Sequence, residues 1–380
     1  MPKFIILFGN TTLLSELEFK SLYPDLELIQ LSPQLFLFES PTDQSQEMMS
    51  RLGGAVKIFK LLKEVEEVLS DEDYTEVVAQ LIADSSQDIE FTLTQAGKKQ
   101  RNISNSDLKR HLKKMGYKSR YFSGEITDSA VLLHHPEVIE ILSIVVDHLY
   151  LARAVAVQDI DDWTKRDRSK PYADRQKGML PPKVARMMVN IAMGQRAKED
   201  ETVLYDPFCG TGTVLMEAAM RGLTVIGSDL DPRAVSGSQE NLTWLQGAYA
   251  MPVNFSIFQM DAGHINPEFF GGRKVDLLVT EPFLGRQTPS DSQLANIFKG
   301  LEKMYLGAMK SFTQVLNEGA ILAMVFPMVK TDKREYNLSS LIDKLASRGY
   351  NSLIDPIVYA REGARVARQI VVFKFVGFHK

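Results

Sequence analysis

The chain has 380 residues, room for two or three domains, and its 44% apolar and 24% charged residues are those of an ordinary soluble globular protein. A single cysteine, Cys209, excludes an internal disulfide framework and any multi-cysteine zinc site, and no run comes near the roughly eighteen apolar residues that a membrane span needs. The net charge of −4 argues against a protein that coats nucleic acid, although it averages over an uneven distribution. The opening run Met1–Gly9 is too short for a signal peptide and lacks a small-residue cleavage site. Six histidines are scattered, with only His134 and His135 adjoining. The expectation is a cytoplasmic protein with no membrane association and no metal.

Residues 3–8 and 35–39 read as strands, with a helix over Leu13–Leu22 between them in which Ser15 and Glu18 make a capping-box pair. Gln46–Arg51 leads into Leu52-Gly53-Gly54-Ala55-Val56-Lys57-Ile58, a glycine turn feeding a strand. A helix is expected from Tyr74 to Ala83, and Ile89–Leu93 alternates like a half-buried strand. Asn105-Ser106-Asp107 caps a helix through Met115, with Leu108 and Leu112 inward and Lys109, Lys113 and Lys114 around the other side. Tyr117–Phe122 and Ala130–Leu133 read as strands, and Val138–Leu149 as an apolar helix. Charge is segregated along this stretch. Residues 64–90 are acidic, whereas Lys98, Lys99, Arg101, Lys109, Arg110, Lys113, Lys114, Lys118 and Arg120 are opposed in their run only by Asp107. A charge run of this kind is either a solvated face or a phosphate-contacting surface.

Residues 151–178 read as a linker, polar and rich in both charges, with Pro171 and Gly178 as breakers. Pro181-Pro182 then opens a helix, where a missing N–H costs nothing. The expected domains are thus 1–150, an α+β region, and 179–380, an α/β domain.

Val203-Leu204-Tyr205 is a short apolar run ending in Asp206. Pro207, Phe208, Cys209, Gly210, Thr211, Gly212 and Thr213 follow before a helical pattern begins at Val214. Strand, glycine loop and helix make a place where backbone can approach a ligand. A dinucleotide fingerprint would need a third glycine where Leu215 stands, and no Lys-Ser/Thr pair makes a phosphate loop. Three more strands end in polar or Gly/Pro residues. Thr224–Ser228 ends at Asp229 and Leu230, Asn254–Phe258 at Asp261 and Ala262, and Val275–Val279 at Thr280-Glu281-Pro282-Phe283-Leu284-Gly285. An acidic side chain such as Asp229 after a glycine loop is placed to accept ribose hydroxyls, and Asp261 suits an adenine amino group. Beyond these, Gln293–Val315 and Ser339–Arg348 read as helices and Gly319–Pro327 as a buried strand. Asp355–Tyr359 and Val366–Val376 form a terminal hairpin around Arg361-Glu362-Gly363-Ala364-Arg365.

Asp206–Thr213 resembles the first motif of S-adenosylmethionine (SAM)-dependent methyltransferases that act on exocyclic amines. Leu52–Ile58, the basic helix and Gly116–Tyr121 resemble the N-terminal region of THUMP-containing tRNA methyltransferases. With Val157-Gln158-Asp159-Ile160, the pattern Arg166, Asp167, Pro171, Asp174, and Gly178–Ala185, the chain resembles the tRNA guanine-N2 methyltransferases acting on guanosine 10. The resemblance covers residues 50–380 and is most specific over 155–231. It implies a class I Rossmann-like methyltransferase domain behind a THUMP-like RNA-binding region, with SAM as cofactor and tRNA as partner. Pro181, Asp206, Pro207, Phe208, Gly210, Gly212, Thr213, Asp229, Leu230, Asp261, Ala262 and Thr280 would line the cofactor. Lys109, Arg110, Lys113, Lys114, Lys118 and Arg120 would hold the RNA backbone. Whether a small activating subunit takes part is open.

Methylating a conjugated amine requires acceptors for its N–H groups and alignment with the sulfonium methyl. The family places Asp or Asn, then Pro-Pro, then an aromatic at this point, where this chain has Glu281, Pro282, Phe283 and Leu284. Glu281 moves the acceptor by about 1 Å at a site whose tolerance is about 0.5 Å, and Phe283 offers a stacking surface one position early. Two other classes fit the same motifs. A DNA adenine-N6 methyltransferase would need a target-recognition insertion longer than anything after Gly285. A SAM-binding, non-catalytic RNA-binding protein would account for the altered tetrapeptide.

Overall fold

A computed structural model describes residues 1–66, 69–83, 88–97, 100–122, 129–174, 179–196, 202–286, 288–360 and 363–377, with the Asp88 side chain excepted. Lys98, Lys99, Gly178, Arg361 and Glu362 lie outside the described residues. The chain divides into two compact units, Met1–Glu16 with Tyr23–Trp163 and Leu17–Leu22 with Thr164–Lys380.

In chain order the first stretch runs β1 (Lys3–Phe8), α1 (Thr12–Leu22), β2 (Ile29–Gln30), β3 (Leu35–Glu39), α2 (Ser45–Arg51), β4 (Ala55–Val65) and α3 (Asp71–Ala83). It continues through β5 (Asp88–Gly97), α4 (Asn105–Lys114), β6 (Lys118–Tyr121), α5 (Ser129–His134), β7 (Ile139–Val145), β8 (Leu149–Val157) and α6 (Ile160–Arg168). Its strands form one sheet in the order β2-β3-β1-β4-β8-β7-β5-β6, antiparallel except where β5 runs parallel to β7 and β6. In the middle of this sheet Lys57 of β4 meets Glu140 of β7 at 2.7 Å, both buried, and Thr94 donates to the same carboxylate at 2.7 Å. A buried ion pair needs such extra hydrogen bonds to offset its desolvation.

Four expectations fail here. Val138–Leu149 is not a helix: residues 139–144 are buried on both faces of a central strand, so its apolar residues show no alternation. Ala130–Leu133 lies in helix α5 rather than a strand. The stretch read as a linker carries β8 into the sheet and then forms α6, whose Asp161 and Asp162 lie in the first turn and Lys165, Arg166 and Arg168 in the last, in agreement with the helix dipole. The caps also differ. Ser104, not Asn105, caps α4 and makes a capping box with Asp107, while Ser15 lies inside α1 and donates to the Thr11 carbonyl at 3.0 Å.

The second stretch holds α7 (Pro182–Gly194), β9 (Val203–Asp206), α8 (Thr213–Ala219), β10 (Thr224–Asp229), α9 (Pro232–Ala248), β11 (Phe255–Gln259), a short 3-10 turn (Pro267–Phe270), β12 (Val275–Thr280) and α10 (Asp291–Phe312). Then follow β13 (Leu316–Lys330), β14 (Glu335–Tyr336), α11 (Ser339–Ala346), β15 (Tyr350–Ser352), β16 (Ile357–Tyr359) and β17 (Ala367–Phe375). The sheet order is β11-β10-β9-β12-β13-β17-β15, parallel from β11 to β13, with β17 antiparallel to β13, β15 and β16. The expected pairing of 355–359 with 366–376 is present, Ile357 opposite Ile370. Strand order reverses between β9 and β12, and in an open α/β sheet the crevice outside the carboxyl ends at such a switch point is where ligands bind.

Helix α8 leaves the glycine loop and is tied down by buried charge. Glu217 accepts from Arg166 Nε of α6 at 2.7 Å and pairs with Arg186 of α7 at 2.8 Å, all three side chains 4% exposed or less. Removing the shared carboxylate takes a counter-charge from two guanidinium groups held out of water. The Glu217→Ala variant is therefore expected to lose about 3–5 kcal/mol of stability, measured by urea unfolding against the parent protein.

Candidate active site

The site is built on four consecutive carboxyl ends of parallel strands. At the end of β9, the Asp206 side chain is buried; its Oδ1 accepts from Thr280 Oγ1 at 2.6 Å and from the Phe208 amide at 3.1 Å. Thr280 closes β12, so this hydrogen bond joins the two strands on either side of the switch point. Burial pushes the Asp206 carboxyl up to about 7 from an ordinary 3.8; the Thr280 and Phe208 hydrogen bonds oppose the rise, and the charges of Asp229 and Glu281 add to it.

The loop after β9 turns through two left-handed glycines, Gly210 at φ 52° and Gly212 at φ 74°. A Cβ at Gly212 would press on Ser238 at 3.2 Å, whereas one at Gly210 would meet nothing nearer than the Phe208 carbonyl oxygen at 3.9 Å. The Gly210 face is thus open to a ligand, and its conformation still calls for glycine. Asp229, at the end of β10, accepts from the Gly210 amide at 2.9 Å through Oδ2 and from the Asp231 amide at 3.0 Å through Oδ1. Each carboxylate oxygen retains capacity for a second donor. Leu230 beside it is 69% exposed.

Beyond β11, Asp261 accepts from the Gly263 amide at 2.8 Å and meets His264 Nδ1 at 2.9 Å; the His264 contact, then the Gly263 amide, hold its carboxyl below the ordinary range. Ala262 is buried next to it. Pro181 caps α7, and Pro207, Gly212 and Thr213 are buried in the loop with Phe208 half-buried. Sequence reasoning missed Lys170, in the stretch read as linker. It is buried and donates to Thr213 Oγ1 at 2.9 Å, and burial lowers its ammonium below the ordinary lysine value. Asn241 of α9 ties the same stretch to the loop, donating to the carbonyls of Tyr172 at 2.9 Å and Thr211 at 2.8 Å.

The tetrapeptide follows Thr280 directly. Glu281 is paired with Arg368 of β17, Nε to Oε1 at 2.5 Å. The Phe283 carbonyl accepts from the buried Tyr305 hydroxyl of α10 at 3.0 Å, and Gly285 at φ 90° turns the chain away. Pro282 is buried, while the Phe283 ring is 61% exposed. Arg368 and Tyr305 carry no local sequence signal; the first lies 87 residues from its partner.

The residues expected to hold RNA lie on α4 and β6 of the first unit. Lys109, Arg110, Lys113 and Lys114 of α4 and Lys118 and Arg120 of β6, an edge strand, are all exposed. The Lys109 ammonium lies 5.8 Å from the Tyr121 ring and the Arg120 guanidinium 5.9 Å from Phe122. Arg110 pairs with Asp107 and Arg120 with Glu90. Among the described residues no group of three metal-ligating side chains occurs, and no helix is long and apolar enough to cross a membrane.

Comparison with known proteins places this geometry in a family. Residues 171–353 match the domain family described as RMKL-like, methyltransferase domain. A tRNA (guanine(10)-N2)-dimethyltransferase of Methanothermobacter thermautotrophicus is 32% identical over 52% of this chain and 51% of its own length. A protein of Methanothermococcus thermolithotrophicus named "Probable tRNA (guanine(10)-N2)-dimethyltransferase" is 36% identical over 31% of this chain and 70% of its own length. The chain spans about half the length of the curated relatives it matches first. The crystal structure of TrmN from Thermus thermophilus shares the fold, at a TM-score of 0.57 and 16% identity over 98% of this chain and 99% of that one. By domain, relatives and fold, the chain belongs to the tRNA (guanine(10)-N2)-methyltransferase family, built on the class I SAM-dependent methyltransferase fold.

Proposed function

We propose that this protein transfers a methyl group from SAM to the N2 amine of a guanosine in tRNA, at position 10. The observation that carries the reading is the 2.6 Å hydrogen bond from Thr280 to Asp206, because it sets the glycine loop and the tetrapeptide side by side. The residues present fit the cofactor. Gly210 leaves room for close approach, Asp229 keeps acceptor capacity for ribose hydroxyls, and the exposed Leu230 offers an apolar surface to a flat base. When bound, SAM supplies an electrophilic methyl on sulfonium. Glu281 accepts from the amine, the Pro282 carbonyl offers a second acceptor, and the exposed Phe283 ring stacks on the base. Positioning of these groups is most of what the site contributes. The partner in solution is tRNA, gripped through α4 and β6.

Three measurements test this. Labelled SAM with unmodified tRNA is expected to yield N2-methylguanosine by nucleoside mass spectrometry; no incorporation into any tRNA, or incorporation into DNA alone, would overturn the reading. The second concerns Asp206, whose folded value of about 7 exceeds its ordinary 3.8. The stability its protonated form contributes is complete below about pH 4 and lost as pH rises through about 7. Holding the cationic amine of SAM requires the carboxylate. Affinity is accordingly expected to fall about tenfold per unit on descending below pH 7, and Asp206→Asn to flatten that profile, read by calorimetry. The third is salt dependence. Lys113→Ala with Lys114→Ala should weaken tRNA binding irrespective of sequence and reduce the log–log salt slope by about 1 for each phosphate no longer neutralised.

A further inference from the structure

We propose that Arg368 is the positioning residue that makes a glutamate work in the amine-binding segment, a role that rests on the methyl-transfer reading above. The geometry comes from unequal strand lengths. Thr280, the last residue of β12, stands opposite Met324 of β13, and β13 continues to Lys330. Its partner β17 places Arg368 opposite Pro327, three positions farther along, so the β13–β17 ribbon rises beside the carboxyl end of β12. From there the Arg368 guanidinium, on a residue 8% exposed, reaches Glu281 through Nε at 2.5 Å.

A carboxylate on the longer side chain has one more rotatable bond than the aspartate or asparagine of the family pattern, and it lies in the field of a second carboxyl, Asp206. Left alone it would turn toward water and away from its neighbour. A planar guanidinium fixed in a strand takes up that freedom, because its donors have set directions. It also places an opposite charge beside Glu281. Among the groups facing Glu281 are Arg368 on β17, Asp206 on β9 and the Tyr305 hydroxyl on α10, whose ring packs 5.3 Å from Phe326 of β13. The pairing and the glutamate form a unit: the extra methylene is tolerated because its carboxylate is held from outside the tetrapeptide.

A double-mutant cycle on the full chain tests this, with methyl transfer to tRNA as the readout and SAM affinity by calorimetry beside it. Arg368→Gln is expected to lower kcat about 10²-fold, the scale for a reacting group misplaced by roughly 1 Å, with the Kd for SAM within about twofold of the parent. In a Glu281→Gln background the same change should lower kcat no further, because coupled residues are not additive. Arg368→Lys, which keeps the charge and loses the planar fork, should fall between the two and serves in the cycle if Arg368→Gln does not fold. An unchanged kcat in Arg368→Gln, or an equal loss in both backgrounds, would overturn the role of Arg368 while leaving the methyl-transfer reading intact. A parent protein that transfers nothing to any tRNA would remove that reading and this role with it.

Discussion

The site depends on a carboxylic acid placed where it is least comfortable. Asp206 ends a strand buried on both faces, and its side chain is shut off from water at the point where the sheet reverses its strand order. What keeps it there is two donors, the Thr280 hydroxyl and the Phe208 amide, one at the end of β12 and the other in the glycine loop. An unsatisfied buried carboxyl would open the structure at this seam. With its donors in place the same carboxyl fixes the distance between the glycine loop and the tetrapeptide.

The tetrapeptide shows how a departure from a family pattern can be absorbed by distant parts of the fold. Glu281, Phe283 and Leu284 all differ from the usual Asp-Pro-Pro-aromatic run, and the second proline's stiffness is lost with it. The backbone is instead held from α10, where Tyr305 donates to the Phe283 carbonyl, and by the left-handed turn at Gly285. The side chain of Glu281 is held from β17. Rigidity supplied by proline in sequence has been replaced by rigidity supplied through two long-range hydrogen bonds.

That replacement also explains what could be read from the sequence and what could not. The parallel strands, their order of appearance and the polar residues at their ends were legible because each is a local pattern: an apolar run, then Asp, Gly or Pro. Asp206, Gly210, Gly212, Asp229 and Thr280 all follow from that. Arg368, Tyr305 and Lys170 do not, since each reaches the site from an element whose own pattern is ordinary. The helix expected at Val138–Leu149 fails for a related reason. Its strand is central and covered on both faces, so apolar residues fill consecutive positions and carry no period. The polar stretch after it reads as linker because α6 is mostly charged, and only Arg166 of the helix is buried, through Glu217.

A second consequence concerns which side chains face the solvent. In this site the usual distribution is inverted: Asp206, Thr280, Lys170 and Glu217 are buried, whereas Leu230 and Phe283 are 69% and 61% exposed. Buried polar groups are bound to one another and to backbone, so their work is to hold loops; they have little left to offer a ligand except through Asp206. The exposed apolar pair stands on hydrogen-bonded segments, Leu230 next to Asp229, which accepts from the Gly210 amide, and Phe283, whose carbonyl accepts from Tyr305. An exposed aromatic on a rigid backbone loses little entropy when a flat ring settles on it, and it sheds water as the two faces meet. In the proposed function the basic residues of α4 and β6 would contribute a different quality, attraction without shape, since lysines and arginines can follow a phosphate backbone of any sequence. On the proposed function, selection of the base would fall to the second unit, with its apolar faces and fixed acceptors, and retention of the RNA to the first.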